Sequence, residues 1–372
     1  MLFKDVIGQS NAKKKLIQSV QQNKISHAHL FTGDYGYGTL VLALAFSQYV
    51  LCENKKKTDS CGKCASCTKV QDLQHPDLHF SFPSVQSISK TSNSLYGDWR
   101  EQIKTQAYFS SFDWTKRIDV KERKPIISVD ESIEIQKKLR LKSYEGGYKI
   151  MIIWMVEEMN TQCSNKILKI LEEPPDKTLF LLVCSEEDYL LETIKSRCQI
   201  LQINKLQDSE ISTHLQETFQ FSLENAQSIA SFSDGNIIRA NEIVNVNNDE
   251  LSLIDDFIGL MRSSYKKNVI DMMTWANQMA QQGKERQKIF LKYASHMLRQ
   301  CILKNYVGID RVQSSKDELK FLEKFSPFVH GNNIRQFMNS IDEAYYQLER
   351  NANPKILFTL MCFQSMRLLH KS

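Results

Sequence analysis

At 372 residues and roughly 100–200 residues per domain, the chain has room for two to four domains. It holds only 13 glycines and 7 prolines, far below typical usage of about 7% and 5%, so it reads as largely helical. That composition excludes a collagen-like repeat, a linker array and a sandwich of many short strands. Forty-eight basic against 43 acidic residues leave a net +5, a mild excess that permits nucleic-acid contact without requiring it, and 42% hydrophobic residues supply a real core.

The first element is a short apolar run at residues 27–33 (HAHLFTG), read as a strand entering a glycine-rich turn at residues 33–40 (GDYGYGTL). An apolar segment at 41–52 (VLALAFSQYVLC) follows as a buried helix. Strand, glycine loop and helix form the context of a phosphate-binding loop, in which backbone N–H groups and the helix N-terminus cradle an anion. Gly33 and Gly38 stand at the motif's spacing with Gly36 between them. Thr39 occupies the position of the lysine that would reach the phosphates, and Leu40 that of the Ser or Thr that would hold Mg²⁺. The loop is read as degenerate and without productive ATP hydrolysis.

Nine cysteines argue against a disulfide framework. Cys52, Cys61, Cys64 and Cys67 fall within sixteen residues, spaced C-x8-C-x2-C-x2-C. Four thiolates at such spacing suit tetrahedral Zn²⁺ with no open position for water, which points to a structural metal. His75 and His79 lie close by as substitute ligands, and a redox CxxC pair is the competing reading. The other five cysteines, Cys163, Cys184, Cys198, Cys301 and Cys362, are read as small core hydrophobes.

Residues 84–124 form a polar stretch with a helix expected around 96–108. Within it, Trp99, Tyr108 and Trp114 interleave with Arg100, Lys104 and Lys116, a pattern that either stacks on single-stranded DNA or anchors an insert by its aromatics. After a helical segment at 128–141, residues 148–156 (YKIMIIWMV) and 178–184 (TLFLLVC) read as strands buried on both faces. Between them a helix at 165–175 (NKILKILEEPP) ends at Pro174 and Pro175. A helix-compatible segment at 187–200 leads to a strand-like stretch at 199–204. Alternating strands and helices imply a parallel α/β sheet. Beyond Lys205 only helical patterns remain, including Phe290, Ala294, Met297, Leu298 and Cys301 on one face and a largely apolar helix at 352–369. No run reaches 18 apolar residues and the start MLFKDVIGQS shows no signal-peptide pattern, so a cytoplasmic protein with no membrane span is expected.

VIGQ (6–9), HAHLFTG (27–33), the four-cysteine insert, NKILKILEEPP (165–175) and TIKSRC (193–198) occur in the order seen in bacterial clamp loaders of the AAA+ class. The chain resembles the delta-prime subunits of DNA polymerase III over nearly its whole length. The resemblance implies an AAA+ RecA-like domain over 1–205 with a zinc module at about 52–67 and an insert at about 84–124. A helical lid at 206–245 and a C-terminal helical collar at 246–372 would follow, an α/β plus all-α architecture. The acidic pair that serves Mg²⁺ and water in the family's ATPases falls on Trp154 and Met155 here; Glu157 and Glu158 just beyond are taken as surface carboxylates. The second-sensor arginine's place falls on Ile238, with Arg239 next to it. The SRC motif implies that Arg197 reaches in trans, as an arginine finger, toward the γ-phosphate held by a neighbouring subunit, the competing reading being a surface arginine that caps a helix C-terminus. Implied partners are the gamma/tau ATPase subunits and the delta subunit, with the sliding clamp and primer-template DNA met through the complex. Two alternatives are a paralogous motor ATPase and a stand-alone DNA-binding zinc protein.

Overall fold

A computed structural model describes residues 1–121, 123–247, 253–308, 312 and 314–371. Its strands are β1 (Ala28–Thr32), β2 (Leu78–Ser81), β3 (Lys149–Trp154), β4 (Thr178–Cys184) and β5 (Gln199–Gln202). They form one sheet in the order β2-β3-β4-β1-β5, and every neighbouring pair is parallel. The helices in the first part of the chain are α1 (Ser10–Gln21), α2 (Thr39–Leu51), α3 (Ala65–Gln71), α4 (Tyr96–Thr105), α5 (Ser111–Ile118), α6 (Val129–Arg140), α7 (Thr161–Glu172) and α8 (Glu192–Lys195).

Side chains alternate across the sheet as the two-residue period of a strand requires. From β3 and β4, Ile150, Ile152, Trp154, Leu179, Leu181 and Val183 face a core shared with α1, α2 and the aromatics of the insert. Met151, Ile153, Phe180, Leu182 and Cys184 face the opposite core with α6, α7 and Ile194 of α8. Both faces are covered, which is why β3 and β4 are continuous apolar runs. Helix α2 lies in the first core with every residue from Thr39 to Val50 buried, so its sequence shows no polar face.

The remaining helices are α9 (Asp208–Phe219), α10 (Leu223–Ser233), α11 (Ile237–Asn247), α12 (Leu253–Tyr265), α13 (Val269–Gln281), α14 (Lys284–Tyr306), α15 (Lys316–Phe325), α16 (Ile334–Glu349) and α17 (Pro354–Leu369). The chain divides into two compact units. One comprises Met1–Glu210 with Gly235–Ile238, and the other Ile211–Asp234 with Arg239–Ser372. The second unit has its own core, in which Phe257, Trp275, Phe290, Met297, Phe337 and Phe358 are packed among α12, α13, α14, α16 and α17. The apolar face expected at Phe290, Ala294, Met297, Leu298 and Cys301 is fully buried there. Among the described residues no helix is long and apolar enough to cross a membrane.

Candidate functional site

In open parallel sheets, ligands are held in the crevice at the carboxyl ends of the strands. Here that edge gathers the loop after β1, the turn after β3 and Ser185 after β4. Gly33 leaves β1 at φ 147°, and its N–H donates to the carbonyl of Cys184 (3.1 Å). A Cβ on Gly33 would lie 2.5 Å from the carbonyl oxygen of Ile203, so no other residue fits. Gly38 (φ 92°) then turns the chain into α2, whose first residue is Thr39.

Three of the loop's N–H groups are already engaged. The Gly36 N–H donates to the Asp34 carboxylate (2.9 Å), the Tyr37 N–H to the Asp34 carbonyl (2.9 Å), and the Gly38 N–H to the Tyr35 carbonyl (3.3 Å). Asn236 closes the arrangement by donating its amide to Asp34 Oδ1 (2.7 Å), and a Cβ on Gly36 would overlap that amide. A carboxylate therefore stands against the Gly36 N–H, and an incoming phosphate would meet its charge. Tyr108, from the insert, covers the other side: its ring lies 3.1 Å from where a Gly38 Cβ would sit, and its hydroxyl accepts from the Ile7 N–H (2.9 Å). The Thr39 hydroxyl is buried in this structure without a hydrogen-bond partner.

At the end of β3, Trp154 is fully buried and Met155 takes a left-handed conformation (φ 58°); neither side chain is a carboxylate. The reading of Glu157 as a surface carboxylate is corrected. Its Oε1 accepts from the Tyr35 hydroxyl (2.9 Å) and from the N–H and hydroxyl of Ser185 (2.9 and 2.7 Å), while Oε2 is buried. The short 3₁₀ turn Val156–Glu158 brings it back over the sheet edge. Burial, and after it the Glu157 charge, holds the Tyr35 phenol far above its usual pKa. Glu158 pairs with Lys124 at 2.9 Å. These groups line a cavity of about 500 Å³ with Glu186 and Tyr189.

The four cysteines converge. Sulfur atoms of Cys52, Cys61, Cys64 and Cys67 all lie within 4.8 Å of one another, and those of Cys61 and Cys67 are 3.9 Å apart. Tetrahedral zinc with Zn–S bonds of about 2.3 Å places its sulfurs close to that separation. Backbone N–H groups of Lys63 and Cys64 donate to Cys61 Sγ (3.4 and 3.3 Å) and pull its thiol down to about 6. Burial pushes the Cys67 thiol up, and a bound cation would favour its thiolate form. His75 is directed elsewhere: Nε2 meets Glu145 Oε2 (3.0 Å) and Nδ1 accepts from the Asp77 N–H (3.1 Å).

Arg197 lies just past α8, two residues before β5. Its Nη1 donates to the Thr193 carbonyl (2.7 Å) and its Nη2 to Glu172 Oε1 (2.5 Å), with a third of the side chain exposed. Lys195 pairs with Glu192 at 2.5 Å.

The insert is built around its aromatics. Trp99 and Trp114 are both fully buried, with ring centroids 5.4 Å apart. Trp99 stacks on Phe82 at 4.3 Å and approaches Trp154 at 5.2 Å, and Trp114 donates its indole N–H to the Pro83 carbonyl (2.9 Å). Neither ring is available to stack on DNA. Of the flanking cations, Lys104 pairs with Asp72 and Arg100 Nε donates to the Asp72 carbonyl.

Comparison with known proteins places the chain. The sequence pattern of the family described as "DNA polymerase III, delta subunit" matches residues 8–207. The chain is 24% identical over 390 positions to DNA polymerase III subunit tau of Bacillus subtilis, covering all of this chain and 62% of that protein. It is 29% identical over 209 positions to subunit delta′ of B. subtilis, covering 56% of this chain and 51% of the relative. The subunit delta′ of Escherichia coli is 29% identical over 187 positions, covering 50% and 45%. The chain thus spans between about half and two thirds of the length of these relatives. With the family pattern running from Gly8 through the loop, the cysteine cluster and the Arg197 turn to Gln207, the chain belongs to the clamp-loader family of DNA polymerase III.

Proposed function

We propose that this chain serves as a delta-prime-type end subunit of a bacterial clamp loader, with an AAA+ fold that does not itself hydrolyse ATP. The observation that carries the reading is the glycine loop. Its N–H groups at Gly36, Tyr37 and Gly38 are engaged within the chain, with the Asp34 carboxylate among them. Binding a triphosphate there would require breaking those bonds and placing phosphate beside a carboxylate. The missing loop lysine and the apolar residues Trp154 and Met155 point the same way.

What remains for chemistry is Arg197, partly exposed in the turn after α8. A guanidinium there would face an adjacent gamma/tau-type ATPase subunit and stabilise charge that develops during phosphoryl transfer. The same complex, with a delta subunit, would place a sliding clamp on primed DNA in the cytoplasm. Cys52, Cys61, Cys64 and Cys67 would hold Zn²⁺, whose contribution is to cross-link the segment between α2 and α3.

Arg197→Ala in the reconstituted loader tests the reading. The expected result is a fall of about a hundredfold or more in clamp- and DNA-stimulated ATPase, with assembly preserved. Unchanged ATPase in that variant would remove the role. The motor-ATPase alternative draws on the tau relative, and tight Mg-ATP binding by the isolated chain would favour it.

A further inference from the structure

Glu172 belongs to the LEEPP segment, whose role so far is only to end a helix. It is the last residue of α7, and Pro174 and Pro175 prevent the helix from continuing. That places Glu172 at the helix end, 25 residues before Arg197 in the chain, with its Oε1 2.5 Å from Arg197 Nη2 in space. Glu172 is about half exposed and Arg197 one third, so this ion pair is screened by water and adds little to fold stability.

The pair fixes geometry. Arginine is a long side chain with many rotamers and a rigid fork of five N–H donors. Nη1 is held by the Thr193 carbonyl of its own turn and Nη2 by Glu172, a group from a different helix. Two tethers of separate origin define the guanidinium plane. Nε takes no hydrogen-bond partner among the described residues, which leaves that edge for an incoming anion.

We infer that Glu172 is a positioning residue for Arg197, holding its guanidinium in the orientation that a neighbouring subunit's phosphate meets. The inference rests on the arginine-finger reading of Arg197. A guanidinium oriented beforehand loses less rotamer freedom when charge develops opposite it, so the effect of Glu172 falls on the chemical step rather than on nucleotide affinity.

The test uses the reconstituted loader, with kcat and KM for ATP measured on Glu172→Ala, Glu172→Gln, Arg197→Ala and the Glu172→Ala/Arg197→Ala double variant. Glu172→Ala is expected to lower kcat about fivefold with KM unchanged. Glu172→Gln, which keeps an oxygen to accept from Nη2, is expected to recover at least half of that loss. The double variant is expected to be no slower than Arg197→Ala, because a residue acting through another has nothing left to act on. A slow Arg197→Ala beside an unaffected Glu172→Ala overturns the inference and leaves the finger intact. So does an additive double variant, or a Gln no better than Ala. If Arg197→Ala itself keeps full ATPase, the finger reading fails and this one fails with it.

Discussion

His29 shows what burial does to a single titratable group. It sits in β1, 2% exposed, with its ring edge-on to Phe46 at 5.5 Å and Nε2 unpartnered. Burial, and secondarily His27, lowers its pKa from 6.5 to about 4. Burial likewise lowers His79 and His296 to about 4. The folded state keeps these rings neutral while the unfolded chain protonates them below about 6.5. The stability they contribute is therefore complete above pH 6.5 and declines as pH falls toward 4, by roughly 1.4 kcal/mol per pH unit for each histidine. Urea titrations across that window should show the slope, and His29→Leu should remove one proton's share of it. An unaltered slope in His29→Leu would sink the assignment. At this scale the sequence was a partial guide. Thr39 and Leu40 depart from the phosphate-loop pattern by their identities, and Trp154 and Met155 depart from the acidic pair that the family resemblance implies. Asp34 gave no such signal, because its meaning depends on Asn236, 202 residues away in the chain. The Glu172–Arg197 contact was hidden for the same reason: both residues lie in recognisable motifs, but only the folded chain joins α7 to the turn after α8.

Elements differ in how far their sequences reveal them. β4 covers residues 178–184, just as the apolar run suggests, since a strand buried on both faces needs no alternation. Helix α7 starts at Thr161, four residues before the segment NKILKILEEPP, because the Asn160 side chain accepts from the Cys163 N–H and caps it there. β2 (LHFS) carried no strand signal. Four residues with a histidine among them are too few to show a period, and their burial comes from β3 beside them and the tryptophans above. α5 has no hydrophobic periodicity long enough to announce it, and its one local signal is the capping box of Ser110 and Asp113. The cysteine segment between α2 and α3 has little regular structure to hold it. N–H groups of Cys61, Lys63, Cys64 and Cys67 point at the sulfurs, so a metal held there would protect the backbone with it. Chelation under reducing conditions is predicted to raise amide exchange at these four residues about tenfold or more while β3 and β4 are unaffected. Fewer than one equivalent of zinc in fully reduced protein would count against the site.

At the scale of the whole molecule, the scarcity of glycine and proline is accounted for by helices in both units, and the parallel sheet is confined to the first. The sequence-based boundaries at 205 and 245 and the compact-unit limits rest on different criteria: one follows motif order, the other follows packing, which assigns Gly235–Ile238 to the first unit. For the intact chain, titration calorimetry with Mg-ATP should detect no binding tighter than about 1 mM, since the engaged N–H groups of Gly36, Tyr37 and Gly38 and the Asp34 charge both oppose it. A micromolar dissociation constant would restore the motor reading. The aromatic cluster of the insert has a consequence of another kind. Three of the chain's four tryptophans, Trp99, Trp114 and Trp154, stand in one group, with Trp99 5.4 and 5.2 Å from the other two rings. Light absorbed by any of them is shared among neighbours at that range. The near-ultraviolet dichroism and emission of this protein therefore form a built-in optical gauge of whether the insert is seated on β3, readable without a label.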